Sequence, residues 1–176
     1  GINTNTNNQP ATSQADLLVL AVKPQIMQQV CEDLASSLNP KTLVLSVAAG
    51  ISCQQLANWL NNKPLALVRA MPNTPALVGA GITGLFSAKP LAKADHQLTE
   101  QLISAVGELV WVAKEAELNS VTAISGSGPA YYFLFTEALA QAGEQLGLAP
   151  ATALQLAQAT AAGAGKQMQA SNEHPS

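Results

Sequence analysis

Leu17-Leu18-Val19-Leu20-Ala21-Val22-Lys23-Pro24 decides how the rest of the chain is read. The continuous apolar run over 17–21 predicts a strand buried on both faces, because a half-exposed strand would alternate with polar residues. Pro24 follows at a first helical position, where its missing N–H is harmless. Ile26, Met27, Val30, Leu34 and Leu38 then recur at helical spacing until Asn39-Pro40 ends the pattern. A second apolar strand covers 43–48, closed by Ala49-Gly50. Ser52 can cap a short helix that carries Leu56, Trp59 and Leu60 on one face. A third strand covers 65–70. Strand, helix, strand, helix, strand with apolar strands predicts a parallel sheet covered on both faces.

Outward from this unit, Met71-Pro72-Asn73-Thr74-Pro75 is a loop whose two prolines forbid regular structure. A strand over 82–86, a helix over 94–106 and a short strand over 109–112 follow. Beyond Ala113 the character changes to two long helices, 129–146 and 150–169, separated by Gly147-Leu148-Ala149-Pro150. Tyr131, Tyr132, Phe133, Leu134 and Phe135 make the first helix apolar almost all round. Ala153, Ala157, Ala161, Ala164 and Gly165 give the second a small-residue stripe that a neighbouring helix can approach closely. The expected division is an α/β part over 1–113 and an all-α part over 114–176, the helices packing in a bundle across a subunit interface.

Composition removes several classes of function. Of 176 residues, 48% are hydrophobic and only 11% charged, the reverse of what a disordered chain needs. The net charge is −3, with Arg69 as the single arginine among scattered lysines. No basic stripe is present for a phosphate backbone, so nucleic acid is not an expected partner. No apolar run approaches the roughly 18 residues of a membrane span. A surface so poor in charge implies burial against a second subunit. Cys31 and Cys53 fit no CxxC or zinc spacing and read as reduced thiols of a cytoplasmic protein. Gly1 in place of Met, and an end at Glu173-His174-Pro175-Ser176 straight after a helix, read as positions inside a longer polypeptide.

Gly79-Ala80-Gly81-Ile82-Thr83-Gly84 matches G-x-G-x-x-G, yet that fingerprint works only between a strand and a helix whose N–H groups hold a pyrophosphate. Here a proline-rich loop precedes it and Lys89-Pro90 follows, so it is read as a decoy. Gly163 to Lys166 imitates the tail of a P-loop, but Gln167 replaces the required hydroxyl residue. Better candidates are three strand ends, since ligands of open parallel sheets sit beyond the carboxyl ends of the strands. These are Ala21-Val22-Lys23-Pro24, Val47-Ala48-Ala49-Gly50 and Ala70-Met71-Pro72-Asn73. Each alone could be an ordinary tight turn, but in series their small residues would let a flat ring lie against backbone. Ser125-Gly126-Ser127-Gly128-Pro129-Ala130 is either a flexible joint or a helix N-terminus able to hold a small carboxylate. Glu115 and Glu117 read as solvated surface, and His96 and His174 as neither ligands nor bases. No catalytic residue and no metal set is identified. Hydride transfer suits such a site, because a cofactor then carries the reactive group.

Ala21-Val22-Lys23-Pro24, Ala48-Ala49-Gly50, Arg69-Ala70-Met71-Pro72-Asn73-Thr74-Pro75 and Ser125-Gly126-Ser127-Gly128-Pro129-Ala130-Tyr131 resemble pyrroline-5-carboxylate reductases in order and spacing. The resemblance runs through essentially the whole chain to Glu173-His174-Pro175. It implies a partial Rossmann domain over 1–113 and a partial helical dimerisation domain over 114–176. It also implies NADPH or NADH as cofactor, 1-pyrroline-5-carboxylate as substrate, L-proline as product and a homodimer or larger homo-oligomer. By the same resemblance Asn8 faces the adenosine side of the cofactor, and Ala21, Val22, Lys23, Pro24, Val47, Ala48 and Ala49 its nicotinamide half. Glu115, Ser125, Gly126, Ser127 and Gly128 would surround the imino acid. The family's Gly-rich fingerprint and its Gly-Gly-Thr-Thr-type loop lie outside this sequence, and Ser176 stands where that family has Gly. The alternatives are a related imine or β-hydroxyacid dehydrogenase, or a truncated chain that dimerises without catalysis.

Overall fold

The computed structural model describes residues 2–171. It contains two compact units, Gly1–Gly126 and Ser127–Ser176. The contacts therefore divide thirteen residues beyond the change of character at Ala113, because α5 (Glu117–Val121) and a π-helical turn (Thr122–Gly126) belong to the first unit.

After a single helical turn, α1 (Gln9–Thr12), the first unit runs β1 (Leu17–Leu20), α2 (Pro24–Ala35), β2 (Leu43–Ser46), α3 (Cys53–Trp59) and β3 (Ala66–Met71). A 3-10 turn (Thr74–Val78) leads to β4 (Gly81–Phe86), α4 (Lys93–Ser104) and β5 (Gly107–Trp111). The strands lie side by side in the order β1-β2-β3-β4-β5. β1, β2 and β3 are parallel, as their apolar runs and intervening helices predict. β4 reverses and pairs antiparallel with β3, and β5 is parallel to β4. The reversal follows from the 72–80 connection, which is shorter than the roughly dozen residues a parallel crossover needs.

Alternate residues of each strand feed opposite faces. Leu20, Val44 and Leu65 pack with Met27, Cys31 and Leu34 of α2 and with Leu56 of α3. On the other face Leu43, Leu45, Val68 and Leu85 pack with Ile103 of α4. β2 is buried at all four positions, as the central position of its pattern requires. α3 opens with a capping box: Ser52 Oγ accepts from the Gln55 N–H, and the Gln55 side chain accepts from the Ser52 N–H at 2.9 Å. The expected Ser52 cap is thus present, with Gln55 as a partner the sequence reading had not named.

The second unit is the helical pair α6 (Gly128–Gln145) and α7 (Pro150–Ala170). Ala140, Ala153 and Ala157 are buried between them, and a Cβ added at Gly143 would come within 3.1 Å of the Ala153 Cβ. Close helix approach thus uses the first part of the small-residue stripe; Ala164 is exposed. Tyr131, Tyr132, Phe133, Leu134 and Phe135 are each at least 60% exposed. No helix among the described residues is long and apolar enough to cross a membrane.

Candidate functional site

Register places the three strand ends in one row. Leu20 lies beside Ser46 and Ser46 beside Arg69, so Ala21, Val47 and Ala70 come next on adjacent strands. The Val47 N–H donates to the Leu20 carbonyl at 3.1 Å, and the Ala48 N–H donates to Ser46 Oγ at 3.3 Å. The first bond carries the pairing one residue past the end of β2, and the second is a local turn bond that fixes Ala48. Ala48 is buried, Val22 and Val47 are half-buried, and Ala21, Lys23, Pro24 and Ala49 are exposed. Pro24 starts α2 while Lys23 remains extended, its carbonyl accepting from the Ile26 N–H. Beside this row Asn73 Oδ1 accepts from the Ile82 N–H at 3.0 Å, closing the proline loop onto β4. The exposed shelf positions Ala21, Pro24 and Ala49 carry small side chains, and Lys23 is long and exposed.

Asn8 stands elsewhere. It precedes α1 and lines a shallow cavity of about 210 Å³ with Val30, Asp33 and Leu34. With a rise of about 1.5 Å per residue, that half of α2 lies roughly 10–15 Å along the axis from Pro24. The larger cavity, about 520 Å³, is lined by Cys53, Lys63, Leu67, Ser87 and Lys89 among others. It lies at the amino end of β3, and none of the site residues expected from the sequence lines it.

Glu115 is held rather than solvated. Its Oε1 accepts from the Cys53 N–H at 2.6 Å and from Arg69 Nη1 at 3.0 Å. The contact joins the start of α3, strand β3 and the segment after β5. Burial opposes ionisation, but the bonds from Cys53 and Arg69 outweigh it and hold the carboxyl below its ordinary 4.5. Arg69 is the residue the sequence reading did not place in the site; a lone arginine within an apolar strand was the available signal. Its Nε is buried and has no hydrogen-bond partner among the described residues. Glu117 accepts at Oε2 from the N–H groups of Ala113 and Lys114, which is local capping.

A depressed folded-state pKa means that the unfolded chain binds more protons between the two values. The Glu115 contribution is therefore complete above about pH 4.5 and is lost as pH falls through the lower folded value. Glu115→Gln should lower stability by about 1–2 kcal/mol at pH 7, since a half-buried charged hydrogen bond is replaced by a weaker neutral one. The loss should shrink as the wild type is acidified; urea melts at pH 7 and pH 3.5 check both statements. Equal losses at both values would place the carboxylate outside this tie.

The serine–glycine run does not form one loop. Ser125 and Gly126 end the π-helical turn, and Ser125 Oγ donates to the Val121 carbonyl at 3.0 Å. Ser127 and Gly128 open α6 in the second unit, and Ser127 makes no side-chain cap. Of the two readings, flexible joint or helix N-terminus, the first half is helical and the second half is a helix start.

The glycine decoy is accounted for residue by residue. Gly79 ends the 3-10 turn with φ +71°. A Cβ at Gly81 would lie 2.9 Å from the Ala76 Cα, and one at Gly84 2.7 Å from Val121 Cγ1. Gly81 and Gly84 lie in β4, with no helix directly after them. Gly163 to Lys166 lies inside α7. His96 stacks on Trp111 at 4.7 Å, and His174 lies outside the described residues. Cys31 and Cys53 are free and buried, and burial, helped by Glu32 and Glu115 respectively, pushes both thiols up to about 11. Neither is a nucleophile near neutral pH. No group of acidic, His and Cys side chains among the described residues could hold a metal ion.

Residues 115–176 match the family model for pyrroline-5-carboxylate reductase dimerisation, and residues 1–50 that for coenzyme F420-dependent NADP oxidoreductase. The pyrroline-5-carboxylate reductase of Pseudomonas aeruginosa is 46% identical over 96% of this chain, which spans 62% of that protein's length. The crystal structure of the Coxiella burnetii reductase superposes with a TM-score of 0.92 at 41% identity, covering 99% of this chain and 64% of that one. The Plasmodium falciparum reductase, solved with NADP bound, gives 0.86 at 28% identity, covering 99% and 68%. Sheet order, helical pair and motif spacing all agree with these matches, and the chain belongs to the pyrroline-5-carboxylate reductase family.

Proposed function

We propose that the protein reduces 1-pyrroline-5-carboxylate to L-proline with NADPH or NADH as donor, as a homodimer or larger homo-oligomer in the cytoplasm. The observation that carries this reading is the shelf of small residues along the β1 and β2 carboxyl ends, in a chain 46% identical to a named reductase. Ala21, Val22, Lys23, Pro24, Val47, Ala48 and Ala49 would flank the nicotinamide half of the cofactor, and Asn8 its adenosine side. When bound, the reduced nicotinamide supplies a hydride to the ring carbon of the C=N bond.

The chain's own contribution is orientation. Ala49, exposed with a single methyl, would leave room for a planar ring, and the pairing through Val47 would hold that surface still. Ser127 and Gly128 open α6, and the free N–H groups and positive dipole end there would suit a substrate carboxylate. Ser125 and Gly126 would complete that pocket. Glu115, tied to Arg69, would act at its margin. A protonated imine needs no protein acid, so orientation can carry the step. The apolar flank from Tyr131 to Phe135, within the residues matching a dimerisation model, supports assembly with a second copy. Two free buried thiols support a reducing compartment.

Oxidation of NADPH driven by 1-pyrroline-5-carboxylate tests this, using protein expressed from its complete reading frame. Turnover to proline is the expected result. A folded protein that binds NADPH but leaves this substrate unreduced would overturn the substrate assignment. Replacing Ser127-Gly128 by Leu-Val should raise KM for the imino acid about tenfold or more while leaving NADPH affinity within about twofold. Equal losses in both would remove this pair from the substrate side.

A further inference from the structure

The antiparallel step sets Met71, the last residue of β3, opposite Gly84 of β4. Both members of this pair receive the segment that leads to the serine–glycine run. The Val121 side chain enters the space over Gly84, where a Cβ would fall 2.7 Å from its Cγ1. In return the Met71 side chain enters the space over Gly126, where a Cβ would fall 2.9 Å from its Cε. Each glycine thus accepts a side chain from the opposite element, and the two seats lie at the two ends of one π-helical turn. That turn is the wide form of helix, rare and costly, and is found disproportionately at functional sites. Thr122 and Ser125 hydroxyls bond back to the Leu118 and Val121 carbonyls and support it from within. At its far end the Met71 Cε methyl lies nearest the space over Gly126, with Thr122 Cγ2 behind it at 3.5 Å.

We propose that Met71 is a positioning residue: it holds the π-helical turn in register, so that Ser125 and Gly126 are presented to the substrate carboxylate. The proposal rests on the assignment of Ser125 and Gly126 to the imino-acid pocket. Methionine suits the task because its unbranched, polarizable end fills an irregular gap against bare backbone. Without it the turn can relax toward an ordinary α-helix and rotate Ser125 away from its place. Small misplacements of this kind cost catalysis out of proportion to stability.

The test compares wild type, Met71→Ala, Met71→Leu and the double variant Met71→Ala with Gly126→Ala, each expressed from the complete reading frame. Met71→Ala should raise KM for 1-pyrroline-5-carboxylate about tenfold with NADPH affinity unchanged within about twofold. Met71→Leu, which refills the gap, should return KM to within about threefold of wild type, and the added Gly126 methyl should recover part of the loss. Amide hydrogen exchange at Ser125 and Gly126 should quicken about tenfold in Met71→Ala alone. An unchanged KM, a matching loss of NADPH affinity, or no recovery with leucine overturns the role. Should Met71→Ala not fold, the leucine and double variants decide by the same KM criterion. If wild type does not reduce this substrate, the functional reading fails; quickened exchange then upholds the seat and unchanged exchange overturns it.

Discussion

Gly107→Ala should destabilise the first unit by about 3–5 kcal/mol, a large share of the 5–15 kcal/mol that holds a typical domain together. Gly107 opens β5 opposite Gly81 with φ +146°, a conformation that residues with a Cβ adopt only under strain of about 1–3 kcal/mol. An added Cβ would collide with the Gly81 carbonyl oxygen and stand 2.5 Å from its nitrogen. Both atoms are backbone, and the Gly81 N–H already donates to the Val106 carbonyl at 3.0 Å, so neither can move without breaking the β4–β5 pairing. Forcing an extra methyl into packed structure adds about another 1–3 kcal/mol. Gly50→Ala is the control: φ is +77° but nothing lies within 4 Å of the added methyl. That variant should lose only about 1–2 kcal/mol, from the left-handed backbone alone. Urea midpoints of the two variants side by side decide the matter. Similar losses would mean that backbone conformation, not the contact with Gly81, sets the cost.

The largest effect on ligand binding should come from Ala49→Trp. Ala49 is exposed in the turn that follows β2, so an indole there meets no packed neighbour and the fold should survive with little change in melting temperature. The same indole would cover the shelf between Ala48 and the β1 end. NADPH affinity should fall at least about tenfold, or about 1.4 kcal/mol. Titration of the variant with NADPH, followed by nicotinamide fluorescence, measures it. Unaltered affinity would move the cofactor away from the β2 strand end.

These two positions also mark what was legible in the sequence. The shelf was readable because parallel strands announce themselves by continuous apolar runs and their carboxyl ends by the small residues that turn into helices. Ala21 to Pro24 and Val47 to Ala49 follow such apolar runs in the sequence, and register sets them side by side. The direction of β4 was not readable, since the 82–86 pattern is the same in either orientation; only the short 72–80 link constrained it. Gly84 and Gly107 could be seen as glycines but not explained, because what excludes a Cβ is a remote Val121 in one case and the facing strand in the other. The tie between Arg69 and Glu115 spans 46 positions, beyond any local pattern, and so Glu115 read as surface until the family resemblance was considered. Ser125 and Gly126 look like loop by composition, yet the stretch is a π-helical turn in which Thr122 and Ser125 hydroxyls bond back to carbonyls four residues earlier, a contact that bends helices.

The strand order bears on how the sheet is made. Neighbours in the sheet are neighbours in the chain from β1 through β5. A nascent polypeptide emerging at about 5–20 residues per second can add each strand to an edge that already exists. Among the described strands, none is inserted between two earlier ones, and each after β1 pairs with one already made. The glycine contacts of β4 with β5 and α5 then come last among these strands.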